Sequence, residues 1–189
     1  MSQSLLLEVA RQSIVEVLEA SRSIDVPHLK KAHPLLNEKM ATAVTLYLDD
    51  EIRSHYCSLH PNKSLIDDLI YTAKVAAFES LQHKPITTSE YLHVSIQVSI
   101  LTPLKAIHYQ DINDLLSQIT PQEDGIIMSY QERESYLFPD AWQSKETTLS
   151  ILKQLSDTLH IHQSLEQQPH IAIFQVQNAK DTALLHNSL

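Results

Sequence analysis

The chain has 189 residues, one cysteine, one glycine, 43% hydrophobic residues and a formal charge of −9. This composition supplies core material for a single domain and excludes an internal disulfide. It also argues against a nucleic-acid backbone as partner, because that binding rests on basic patches.

Ordinary glycine usage of about 7% implies about thirteen glycines in such a chain, yet only Gly125 occurs. The sequence therefore lacks the Gly-rich phosphate loops, both the Walker type and GxGxxG. Glu8, Arg11 and Glu16 interrupt the opening apolar run, which reads as neither signal peptide nor membrane span. No later stretch of about 18 apolar residues follows. A soluble, cytoplasmic protein with no membrane contact is expected.

Residues 4–20 place Leu6, Val9, Ala10, Ile14, Val17 and Leu18 at helical spacing, with Ser4 available as a cap. Pro27 and Pro34 mark the following stretch as an irregular connection with at most a short helical turn. ATAVTLYLDDEIRSHYC then alternates as a β-hairpin turning at Asp49 and Asp50. A two-residue loop would pair Leu48 with Glu51. A three-residue loop over 49–51 would pair Leu48 with Ile52, Leu46 with Ser54 and Val44 with Tyr56. The second register gives one coherent apolar face and leaves Arg53, His55 and Cys57 together on the other, so it is preferred.

Residues 64–82 form the clearest helix, with Ser64 as cap. Asp67 and Asp68 favour its N-terminal dipole end, and a broad stripe runs from Leu65 to Leu81. Residues 92–101 read as a strand with Leu92, Val94, Ile96, Val98 and Ile100 inward, and His93, Ser95, Gln97 and Ser99 outward. A short helix over 111–119, a hairpin turning at Gln131–Arg133, a helix over 145–159 and a last strand over 170–177 complete the order. Helices and antiparallel strands are mixed without regular alternation, which is an α+β pattern.

In this order the chain resembles the AMMECR domain family, also called AmmeMemoRadiSam system protein A. LLLEVARQSI (5–14) is similar to the family's opening helix, and ATAVTL (41–46) to its GAFVTL strand. IRSHYC (52–57) stands where the signature LRGCIG falls, EYLHVSIQVSILTPLKAI (90–107) resembles EL..L.IEVSVLSP.EPI, and EDGIIMSYQERESYLFPDAW (123–142) resembles the GDGL.I…LP.VW region. The resemblance implies one α+β domain over the chain, an antiparallel sheet flanked by helices in two unequal lobes, with the signature near a cleft. It implies no assigned reaction, and it points to a Memo-like or radical SAM protein as partner.

The departures fall in the signature. Ser54, His55, Tyr56 and Cys57 replace Gly, Cys, Ile and Gly, and Gln97 replaces a usual glutamate. Only Arg53 carries over from the signature's polar core.

Three chemistries remain open for IRSHYCSLH. Cys57 as nucleophile needs a base, and His55 or His60 are the residues at hand. Yet residues two apart on a strand stand about 6.5–7 Å apart at Cα with parallel side chains, which does not favour proton transfer. His55, Cys57 and His60 as zinc-type ligands need a fourth from His93, His108 or the His160–His162 pair, and the spacing matches no standard finger. Arg53 can hold an anionic ligand or a partner carboxylate, or simply an intramolecular acid. The sequence favours a non-catalytic binding or accessory module that offers Arg53, His55, Cys57, Ser58 and His60 to a protein partner or small anionic ligand. No metal or other cofactor is assigned.

Overall fold

The computed structural model describes residues 2–80, 83–142, 147–161 and 169–184. Leu81, Lys145, Glu146 and His162, which figure in the sequence reading, lie outside them. The chain is α+β and divides into two compact units, residues 1–101 with 177–189, and residues 102–176. No helix among the described residues is long and apolar enough to cross a membrane.

The first unit holds α1 (Gln3–Leu18), α2 (Val26–Ala32), β1 (Thr42–Leu48), β2 (Glu51–Cys57), α3 (Leu65–Phe78), α4 (Thr88–His93), β3 (Val94–Leu101) and most of β8 (Val176–Lys180). Its sheet has the order β2-β1-β3-β8. The stripes of α1 (Leu6, Val9, Ala10, Ile14) and α3 (Leu65, Ile66, Leu69, Ala73, Ala76) bury against Val44, Leu46, Val94, Ile96 and Val98. Burying each large aliphatic side chain in such a core contributes about 1.5–3 kcal/mol.

Polar groups fix the edges of this core. Arg11 pairs with Asp181 and donates to the Val94 carbonyl at 3.0 Å, while Asp181 accepts from the Ile96 N–H at 2.6 Å. Glu16 is buried in α1 and accepts from the N–H groups of Ser23 and Ile24 and from Lys74 at 2.8 Å. Burial raises its carboxyl, but the Lys74 ammonium and those N–H groups outweigh burial and hold it below the ordinary value.

The second unit carries β4 (Lys105–Ile107), α5 (Ile112–Ser117), β5 (Gly125–Tyr130), β6 (Arg133–Leu137), α6 (Thr148–Thr158) and β7 (His170–Phe174), with the sheet order β4-β7-β5-β6. Its core joins Ile126, Met128, Ile171 and Ile173 to Leu115, Ile151, Leu152 and Leu155.

Several expectations change. α1 begins two residues earlier: Ser2, not Ser4, is the N-cap residue, and Val17 lies 44% exposed rather than in the stripe. Residues 26–32 are helical because Pro27 sits in the first turn, where its missing N–H costs nothing, and Asp25 caps by accepting from the His28 N–H. Ser64 occupies the α3 N-cap but donates its hydroxyl to Asp67 instead of accepting from the backbone.

Residues 88–93 form α4 rather than the start of a strand, so Leu92 does not face inward, while Ser99 is buried. Its signal was in the sequence: Thr87 and Glu90 make a reciprocal capping box. The second hairpin turns on Gln131 and Glu132 alone, since Tyr130 pairs with Arg133. The last strand is two strands broken at Gln175, one in each sheet. The described residues thus form two four-stranded sheets where one was expected.

The single glycine has a packing cause. A Cβ at Gly125 would stand 2.4 Å from Cζ of Phe174, whose ring is 2% exposed and held edge-on to Phe138 at 5.3 Å. Gly125→Ala is therefore expected to overpack this core and destabilise the protein by about 1–3 kcal/mol. A lowered thermal midpoint checks this; an unchanged one means that the ring moves aside freely.

Candidate functional site

The hairpin register decides where the candidate residues point. Leu48 pairs with Glu51 and Tyr47 with Ile52, but Leu46 pairs with Ser54, Thr45 with His55 and Ala43 with Cys57. The tip is therefore the two-residue turn, with Asp49 and Asp50 both at positive φ (51° and 63°), a shape that matches the twist of a hairpin. Arg53 is the extra residue of a bulge, and beyond it the strand runs in the register preferred from sequence. The bulge puts Ile52 opposite Tyr47 instead of Leu48, and Ile52 is 63% exposed. The apolar face expected to include it ends at Ser54.

On the face away from the α1/α3 core, the strands align side chains in rows. Thr45 lies between His55 on β2 and Gln97 on β3; Ala43 lies between Cys57 and Ser99. The Thr45 hydroxyl hydrogen-bonds His55 Nδ1 at 2.9 Å, and the Ser99 hydroxyl donates to Asn178 Oδ1 at 2.7 Å. The Tyr47 hydroxyl makes a long bond of 3.4 Å to Gln97 Oε1, and the Lys180 ammonium lies 4.0 Å from the Tyr47 ring centre. The His55 ring is exposed while Thr45 and Ser99 are buried. The outcome is a polar surface with little formal charge, suited to hydrogen bonding.

The five candidates do not form one cluster. Arg53 leaves the row at the bulge: its Nε reaches Glu90 Oε1 at 3.2 Å and its Nη2 donates to the Lys84 carbonyl at 2.9 Å. The Thr87 N–H, the Thr87 hydroxyl and the Arg53 guanidinium together outweigh burial and hold the Glu90 carboxyl below its ordinary value. His55 and Cys57 do share a face, as expected. Cys57, however, is buried with its sulfur accepting from the Leu59 N–H at 3.3 Å. Burial pushes the thiol up to about 12 against the pull of that N–H, and the Asp68 charge adds to the rise. At neutral pH it is a thiol, not a thiolate, and so a poor nucleophile.

Ser58 turns inward to Asp68, and His60 is exposed on the loop beyond β2. Among the described residues no three His, Cys, Asp or Glu side chains gather as a metal requires, His93, His108 and His160 included.

Asp68 was explained by the helix end alone. It is 2% exposed, and its Oδ2 accepts from the Thr42 N–H (2.9 Å), the Thr42 hydroxyl (2.7 Å) and the Ser58 hydroxyl (2.8 Å). The Thr42 hydroxyl also meets that of Thr72 at 2.8 Å. The signal was its phase: Asp68 lies on the buried stripe with Leu65, Leu69 and Thr72, whereas Asp67 faces out to Lys30.

Two α+β units, the first with a hairpin whose outer face is polar, define the structural class. The match to a family model narrows it: the AMMECR1 model fits residues 7–179, and the chain belongs to the AMMECR1 family. A protein of Thermofilum pendens is 29% identical over 158 residues, covering 76% of this chain and 73% of its own. One of Methanopyrus kandleri is 31% identical over 137 residues, covering 71% and 65%. The crystal structure of an uncharacterised protein from Pyrococcus horikoshii superposes with a TM-score of 0.78 at 21% identity, over 94% of this chain and 90% of that one. This last likeness shows the fold alone.

Asp68→Ala leaves three donors facing an apolar gap and is expected to destabilise the protein by about 3 kcal/mol. Asp67→Ala, which loses an exposed ion pair, is expected to cost about 1 kcal/mol or less. Urea unfolding of the two variants checks the contrast, and equal losses would remove Asp68 from its role as a buried tie.

Proposed function

We propose that this AMMECR1-family chain is a non-catalytic binding module that presents the outer face of its β1–β2 hairpin, with His55 central and Arg53 at the margin, to a protein partner. The state of Cys57 carries the reading. The one thiol of the chain is buried and protonated, so the hairpin offers no thiolate for covalent chemistry. The pairing of Arg53 with Glu90 favours a protein over a small anion, which would have to displace that carboxylate and the Lys84 carbonyl. A protein surface can instead hydrogen-bond along the His55–Thr45–Gln97 row and use Ile52 as an apolar contact. The family resemblance puts a Memo-like or radical SAM protein first among the partners to try.

Alkylation by iodoacetamide at neutral pH is expected to be about a hundredfold or more slower in the native chain than in urea, rising only as the pH approaches that of the thiol. Equal rates would sink the non-catalytic reading. Co-elution with a Memo-like or radical SAM protein is expected, and His55→Glu is expected to weaken it about tenfold or more by placing a charge in the contact. A complex indifferent to that variant would move the surface elsewhere.

A further inference from the structure

One hollow of about 440 Å³ lies wholly within the second unit, walled in part by Lys105, Gln118, Thr120, Asp124, Ile173 and Gln175. Its size falls in the range of small-molecule sites. At its wall Asp124 is 5% exposed, yet its carboxylate has few partners. Oδ2 accepts from the Thr120 N–H at 2.8 Å, and among the described residues Oδ1 meets only the Gln175 amide at 3.3 Å. A carboxylate offers about four acceptor sites, and a buried one needs compensation from a donor or cation. Lys105, exposed on β4, makes no ion pair among the described residues. It stands directly opposite Ile173 on β7, so their side chains share a face of the sheet.

We propose that this hollow binds a small aliphatic amino acid or a similar zwitterion. The ammonium of the ligand replaces the weak Gln175 contact on Asp124, the carboxylate meets Lys105, and the aliphatic part lies on Ile173. Each charge excludes the wrong half-molecule: a simple anion faces Asp124, and a simple cation faces Lys105. The site is independent of the hairpin surface, and its failure leaves that reading untouched.

The test is a two-dimensional NMR titration of the full chain with three probes: L-leucine, 4-methylpentanoate, which lacks the amine, and 3-methylbutylamine, which lacks the carboxylate. At about 10 mM a millimolar site is readily seen. L-leucine is expected to shift the backbone signals of Thr120 and Gln175 and the Gln118 side-chain amide saturably, about tenfold more tightly than either half-molecule. Lys105→Ala, on an exposed side chain and so safe for folding, should remove most of the advantage over the amine. Asp124→Asn should remove the advantage over the acid, and if that variant does not fold, Lys105→Ala alone decides. No shift with any probe, equal binding of a half-molecule, or an unchanged leucine affinity in Lys105→Ala would overturn the proposal.

Discussion

The hairpin depends on one carboxylate oxygen. Asp68 Oδ2 receives the first N–H of β1, the hydroxyl beside it and the hydroxyl of Ser58, which follows β2. Both strand ends are thereby fixed to the first turn of α3, and from there the register runs outward to the tip. A buried charge is tolerated at this point because three donors meet it; without them its desolvation would be prohibitive. The same charge acts on its neighbours, raising the thiol of Cys57 and the hydroxyl of Tyr56 further than burial alone. In this field the one thiol of the chain is buried and held protonated at neutral pH.

Two of the departures from the family pattern meet in space. His55 holds the signature cysteine position and Gln97 the glutamate position, and they flank Thr45 on adjacent strands. In a sheet such cross-strand neighbours share one environment. Relative to the signature that the chain resembles, an imidazole and an amide stand here in place of a thiol and a carboxylate, so the row carries hydrogen-bonding groups. The replacement of the signature glycines by Ser54 and Cys57 fits the same local change: both are buried, and their side chains occupy space beside the backbone.

Much of the fold was legible because periodicity survives packing. The stripes of α1 and α3, the alternation of β3 beyond Val94 and the α+β order all follow from where apolar residues recur. The remainder turned on single residues whose role depends on a partner distant in sequence. A bulge at Arg53 satisfies both candidate hairpin registers at once, and no count of alternation distinguishes that from choosing one. Pro27 reads as a breaker until its place in the first turn of a helix is known. Asp68 and Asp67 are identical neighbours in sequence, and only helical phase separates a buried tie from a surface pair. That Arg53 pairs with an acid of its own chain was one of the open readings, but which acid could not be read, because Glu90 lies 37 residues away.

The bulge also bears on how copies of the chain meet. Among the described residues β2 is an outer strand, and one long side of it carries backbone groups that no neighbouring strand satisfies. A flat strand of seven residues in that position is a template for another chain to extend the sheet. At Arg53 the extra residue bends the strand and breaks its hydrogen-bonding rhythm near the middle, and the guanidinium is drawn off to Glu90. The bend takes the two remaining stretches out of one line, so an incoming strand cannot follow the whole edge. The kink that removes Arg53 from the row of candidate residues therefore also guards the open edge against endless sheet growth from molecule to molecule.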